Sequence, residues 1–481
     1  MSKLSSNIFY SSFLAIANYI FPLLVFPYIS RVLGVTNIGI CNFIDSIIHY
    51  FILFSMMGIT IIGTREISSH RNNIPELEKR FSSLLVLNGS TTIIALIALC
   101  ICTFSIGELR THKWMMLYGS IKLISNFFLI EWFYRGMEQF RFITIRTIIV
   151  KCLFVISVYI FVTKESDFIT YYLLSVLMVT GNAVINILYS SKLVKFKIKS
   201  ISLSLILRPF FILGIYMLVT SMCTTFNIAY LGFATNNTQV GYYTTATKLY
   251  TILLALFTGA TTAIMPHMSK LIASGKHDEF TDLLLKASNI LFSFSIPLII
   301  LSICYAPQIV LLISGQGYEG AIIPMQIVMP LMLIIGYEQI VVIQGLMPLS
   351  KDQAIMRNAI VGACISLSLN LCLVSTLQSI GSAITWLCSE LAILILSQFS
   401  INKSANISFP WNDFCRQLFG HIPLAAILII TTYFLKETSY WINLLIAGML
   451  TMIYVGFIQI YVFKNPLIIS HLMFLKAFKP K

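Results

Sequence analysis

The chain has 481 residues, 58% of them hydrophobic and only 10% charged, with a formal net charge of +14. Soluble globular proteins carry about 25% charged residues, so a water-soluble fold of this size is excluded. The basic residues lie between apolar stretches and form no patch on a polar domain, which argues for a membrane and against nucleic acid.

Residues 8–29, 81–107, 209–247, 287–318, 417–435 and 438–463 contain no Asp, Glu, Lys or Arg. A spanning helix needs about 20 apolar residues, and lipid offers no partner for an unpaired backbone group. The runs are continuous, whereas a barrel would alternate. They predict an all-α, polytopic membrane protein with fourteen transmembrane helices. In chain order these are near 8–29, 38–63, 82–104, 114–134, 146–163, 168–189, 209–233, 240–265, 288–313, 323–347, 358–375, 380–399, 418–435 and 440–463. The first run follows Lys3 without a small-residue cleavage site, which predicts an uncleaved first helix.

Charge counting sets the orientation. With the N-terminus inside, 24 of the 32 basic residues fall on the inner side, five on the outer side and three within spans. That bias follows the positive-inside rule and puts both termini in the cytoplasm. The longest outer loop, 105–113, has nine residues, too few for an extracellular catalytic domain. The ten cysteines show no C-x-x-C spacing and read as small packing residues. No phosphate-binding G-x-x-x-x-G-K-[ST] loop occurs, so no nucleotide cofactor is expected.

An internal repeat is visible. Leu33-Gly34, a polar turn and Gly39 open the second span; Leu231-Gly232, a polar turn and Gly241-Tyr242-Tyr243 open the eighth, at offsets of 198 and 202 residues. Six spans separate the copies, so the repeat is parallel, an arrangement of transporters whose substrate site lies at the repeat interface. The expected organisation is a six-helix lobe over 1–190, a basic cytoplasmic linker over 191–208, a second six-helix lobe over 209–400, and two extra helices with a cytoplasmic tail over 401–481.

Charges within or beside spans are costly and mark cavities or partners. Lys248 lies about eight residues into the eighth span. Thr244, Lys248, Thr251, Ala255, Thr258 and Thr262 recur at helical spacing as one polar stripe. The seventh span carries a matching stripe through Tyr216, Thr220 and Asn227. Arg31, Lys122 and Lys151 are further basic candidates for the substrate cavity. Asp45, with Asn42 and His49 on one helix face, occupies nearly the place of Lys248 in the other repeat. The pair predicts a contact across a central cavity that protonation of Asp45 would release. Glu338 and Glu390, acids within late spans, are the other candidates for ion coupling, while Glu131 is expected to pair with Arg135 one helical turn on. Lysines around a wet cavity suit a diphosphate, and threonine, asparagine and tyrosine suit sugars.

Several motifs occur in order: Pro27-Tyr28-Ile29-Ser30-Arg31-Val32-Leu33-Gly34, Gly63-Thr64-Arg65-Glu66, Glu131-Trp132-Phe133-Tyr134-Arg135-Gly136-Met137-Glu138 and Val240-Gly241-Tyr242-Tyr243-Thr244-Thr245-Ala246-Thr247-Lys248. Together they resemble the polysaccharide-synthesis flippase family, over about residues 5–400. The resemblance implies the two-lobed multidrug/oligosaccharidyl-lipid/polysaccharide exporter fold in the bacterial inner membrane. It also implies flipping of undecaprenyl-diphosphate-linked O-antigen or capsule units by alternating access, coupled to a cation, proton or sodium. Implied partners are the lipid-linked oligosaccharide, membrane lipid, a polysaccharide polymerase and a chain-length regulator. In one departure, many relatives have an Asp in the seventh span where this chain reads Asn227-Ile228-Ala229-Tyr230. The competing readings are a lipid II-type precursor flippase, a multidrug exporter of the same superfamily, and a membrane polymerase; the short outer loops argue against the last.

Overall fold

The structure, a computed structural model, describes residues 3–197, 201, 204–435 and 438–463. Parts of the 191–208 linker, residues 436–437, the tail beyond 463, and the side chains of Ala255, Thr258 and Thr262 lie outside the described residues.

Helix follows helix, with no strand among the described residues. The first eight are α1 (Lys3–Met56), α2 (Ile59–His70), α3 (Ile74–Ser105), α4 (Gly107–Thr111), α5 (Lys113–Leu129), α6 (Glu131–Gly136), α7 (Phe140–Phe161) and α8 (Phe168–Ser190). Then come α9 (Ser204–Ser221), α10 (Thr225–Ala234), α11 (Asn237–Ala273), α12 (His277–Cys304), α13 (Ala306–Ser314), α14 (Ile322–Val328) and α15 (Leu331–Gln339). The last are α16 (Asp352–Leu369), α17 (Ser375–Ala405), α18 (Trp411–Gly420), α19 (Ile422–Phe434) and α20 (Tyr440–Phe457).

Each of the fourteen expected spans falls on helix, though the structure does not separate fourteen. By length and composition, nine helical stretches among the described residues can cross a membrane, or ten with the pair α9–α10, bent by 54°. Two stretches are too long for one crossing: Phe9–His70 has 62 residues and Asp352–Ala405 has 54, roughly 90 and 80 Å of helix against a hydrocarbon core of about 30 Å. Each divides at a break, at Gly34 (φ 74°) in α1 and at Gln378 (φ 54°) in α17. α5, at 17 residues, continues into α6 through Ile130, whose φ of 37° breaks the helix.

The helices bury their small and polar side and expose their large apolar side, as lipid requires. On α3, Ile93, Ile97 and Ile101 are 60%, 57% and 61% exposed. The opposite face buries Asn88, Thr91, Thr92 and Thr103. There Thr92 shares a hydrogen bond of 2.6 Å with Ser55 of α1, and the Thr91 hydroxyl donates to the Ser55 carbonyl.

The chain packs as two compact units. The first comprises Met1–Thr245 and Ala359–Ser389, so it holds α1 to α10, the first turns of α11 and the bend at Gln378. The motif that begins at Glu131 is packed into its core: Trp132, Phe133 and Tyr134 are buried with Ile62, Ile67 and Phe81. Gly63 lies flat against the Trp132 ring, where a Cβ would clash with it. The second unit comprises Ala246–Asn358 and Glu390–Lys481. It is centred on Phe292, Tyr337 and Leu346, with Phe409 and Phe414 packed on them.

Candidate functional site

The most ordered feature is the crossing of α1 and α11 within the first unit. Gly39 and Gly241 are related by the 202-residue repeat. A Cβ on Gly39 would run into the Asn237 carbonyl oxygen, and one on Gly241 into the Val35 carbonyl oxygen. Asn237 is itself Val35 plus 202, so the two collisions are the same contact seen from each repeat. Thr36 and Thr238 hydroxyls share a hydrogen bond of 2.9 Å, and Asn42 Nδ2 donates to Thr244 Oγ1 at 3.1 Å; both pairs are again 202 residues apart. The two hydrogen-bonded pairs join residue i to residue i + 202, and the two glycine contacts exchange under the same offset. Such reciprocity is the signature of a local two-fold relation between the two helix segments, and it agrees with the repeat expected from sequence. Only glycine allows the backbones to come so close.

Along the same face of α1, past the crossing, stand Asp45 and His49, one and two turns on from Asn42. The Asp45 side chain is 47% exposed and forms an ion pair with Lys122 of α5, which is largely covered. The Lys122 ammonium also lies 5.9 Å from the centre of the Tyr172 ring. The ion-pair partner that the structure gives Asp45 is therefore Lys122. On α11 the equivalent face continues through Lys248, half-buried, and Thr251, exposed, whose hydroxyl donates to the Thr247 carbonyl at 2.7 Å.

The other predicted site residues disperse. Arg31 is exposed on α1, three residues before the Gly34 break. Lys151 donates to Asn18 Oδ1 at 2.6 Å. Tyr216 is half-buried on α9. Asn227 is fully buried and structural, its Nδ2 donating to the Tyr243 hydroxyl at 2.9 Å and the Ser382 carbonyl at 2.8 Å. An amide fits there because both partners accept. Thr244 is buried in the crossing itself. Glu131 lies 3.5 Å from Arg135 as expected, and accepts a shorter contact, 2.9 Å, from Arg146 of α7.

In the second unit Glu338 of α15 and Glu390 of α17 lie within electrostatic reach of each other, and both lie within electrostatic reach of buried Tyr250. A π-helical turn, Ile340–Leu346, follows Glu338 directly, a distortion frequent at functional sites. Sequence reading had both residues but not the pairing: they lie 52 positions apart, and each reads as a lone acid in a span. Among the described residues no group of three His, Cys, Asp or Glu could hold a metal ion.

This is a multi-pass, helical membrane protein with the two-fold repeat of a transporter fold. Residues 4–272, more than half the chain, match the family model described as polysaccharide biosynthesis protein, and the chain belongs to that family. A protein of Escherichia coli (strain K12) named "Putative O-antigen transporter" is 26% identical over 401 residues, covering 82% of this chain and 95% of the relative. One of Shigella dysenteriae with the same name is 24% identical over 396 residues, covering 79% and 95%. In fold the chain is similar to the lipid II flippase MurJ in its inward closed conformation, with TM-score 0.73, 14% identity and coverage of 94% and 98%. It is also similar to an inward-facing multidrug resistance transporter of the MATE family in the MOP superfamily, with TM-score 0.62, 12% identity and coverage of 81% and 96%.

Proposed function

We propose that the protein flips undecaprenyl-diphosphate-linked oligosaccharide units, of O-antigen or capsule, from the cytoplasmic to the outer leaflet of the inner membrane by alternating access. The observation that carries this reading is the i to i + 202 crossing. Two equivalent helices that meet through glycine backbone and a few small polar side chains can part as rigid bodies. With the N-terminus inside, as the basic residues predict, the crossing lies toward the outer face and closes that side. The names of the sequence relatives support the substrate class, and the likeness to a lipid II flippase supports a lipid-linked cargo.

In this reading Lys248 contacts the diphosphate. Thr251, one turn on from Lys248, supplies a further polar contact; in the first unit Asp45, His49 and Lys122 offer polar groups to substrate, while Arg31 and Lys151 raise the local positive potential. Thr244, Asn227 and Tyr216 hold the helices that carry these residues. The Glu338–Glu390 pair couples transport to a cation. If a proton leaves the pair, two carboxylates face one another in low dielectric, and a proton or sodium ion must return. Asp45, already neutralised by Lys122, is less suited to that task. Lipid-linked units reach a polymerase and a chain-length regulator after the flip.

The test is deletion with complementation. The deletion strain should lose surface polysaccharide and accumulate lipid-linked units in the inner leaflet, and the full chain should restore export. Accumulation of unpolymerised units in the outer leaflet would instead make the protein a polymerase.

A further inference from the structure

A second site lies away from the crossing, within the first unit, as a groove of about 430 Å³ between α7 and α8. Its floor is apolar: Ile145, Ile149 and Ile185 are 43%, 53% and 38% exposed. On α7 that floor continues through Leu153, Ile156 and Ile160, all more than half exposed, at four- and three-residue spacing along one face. This is the face the helix turns to lipid.

The rim of the groove is basic. Arg141 is exposed and forms no ion pair among the described residues. Arg146 lines the groove at 4% exposure. Its Nη2 donates to Glu131 Oε1 and Thr147 Oγ1, both at 2.9 Å, and its Nη1 reaches the Asn182 carbonyl at 3.5 Å. Its Nε has no hydrogen-bond partner. That Nε is closed off from the groove, so a ligand there would meet Arg146 through its charge and not through this donor. Glu131 also serves Arg135 at 3.5 Å, so one carboxylate is shared by two guanidinium groups; with Arg141 added, three positive charges stand against one negative and a surplus of two remains. The neighbouring Glu138 is paired with Arg71.

We infer that this groove binds a membrane phospholipid with a net negative head group, its phosphate against Arg141 and Arg146 and an acyl chain along Ile145 and Ile149. A soluble phosphate would leave the apolar floor unused. A zwitterionic head group carries its own cation and leaves the surplus unanswered. The groove also lies at the end of α7 next to the basic loops, where pockets between helices take anionic lipid. Nothing in the inference depends on the transport reading.

The experiment uses the full chain, purified and probed with phosphatidylglycerol and phosphatidylethanolamine, with native mass spectrometry counting retained lipid. The wild-type protein should retain phosphatidylglycerol in preference. Arg141→Gln, an exposed position that leaves the fold intact, should weaken that retention roughly tenfold, the scale of one charge-assisted contact. Ile149→Trp, which fills the floor and spares the rim, should reduce it as well. Equal retention of the two lipids, or no change in Arg141→Gln, overturns the inference. Retention of undecaprenyl phosphate over phosphatidylglycerol, lost in Arg141→Gln, would also overturn it by making the groove a carrier site.

Discussion

The two units solve the problem of charge in lipid in opposite ways. In the first, acids meet bases: Asp45 with Lys122, and Glu131 with Arg146 and Arg135. In the second, Glu338 meets Glu390. An opposite pair is complete in itself and needs nothing from outside. Two like charges placed close together in low dielectric disfavour one another, so such a pair is suited to taking up a mobile proton or cation. The difference suggests a division of labour. In the proposed mechanism the first unit keeps its charges paired, while the second exchanges an ion.

Several substitutions would break or sharpen that division. The largest effect should come from Gly39→Leu or Gly241→Leu, since each drives a side chain into the carbonyl of the opposing repeat. Overpacking of this kind costs about 1–3 kcal/mol. Because the clash falls on the contact that closes, export should drop below a tenth of wild type while the protein still inserts. The drop would be read as surface polysaccharide per unit of membrane-inserted protein. Normal export in both variants would remove the crossing from the mechanism.

Next in size is the acidic pair. Glu390→Gln keeps the side chain's size and polarity and removes one ionisable carboxyl, so it abolishes the proposed exchange. It should slow export several-fold and flatten its dependence on external pH, measured in vesicles with an imposed gradient. An unchanged pH profile in both Glu390→Gln and Glu338→Gln would mean the pair is merely structural.

The smallest effect should come from the opposite pair. Asp45→Asn or Lys122→Gln alone should cost about 1 kcal/mol of stability, since Asp45 is half exposed and solvent screens it. The double variant should cost less than the sum of the two singles. Thermal unfolding in detergent would measure this cycle, and strict additivity would deny the pair any coupling.

Much of this was legible in the sequence, and the reasons are physical. Apolar runs without charge can only be helices in lipid, and every expected span proved helical. The repeat was visible because Gly39 and Gly241 sit in matching motifs, and the same 202-residue offset then recurred as physical contact. The pairings were not legible. Asp45 and Lys122 are 77 residues apart on different helices, and sequence reading set Asp45 opposite Lys248 because the two hold nearly equivalent repeat positions. Equivalence placed the crossing correctly but could not say which neighbour an ion pair would choose. The helix breaks at Ile130 and Gln378 were also silent, since neither residue is the glycine or proline that normally announces one. The sequence places Asn227 in a polar stripe but does not announce its buried hydrogen bonds to Tyr243 and Ser382.

The measurement that tests the central claim most directly is a reversible cross-link at the crossing. Thr36 and Thr238 already touch through their hydroxyls, so Thr36→Cys with Thr238→Cys should form a disulfide in the membrane under mild oxidant. If the crossing must open in each cycle, oxidation should stop export and a reductant should restore it, while either single cysteine exports throughout. Cross-linked protein that continues to export at the reduced protein's rate would show that the crossing is a permanent joint, and the alternating-access account would fail.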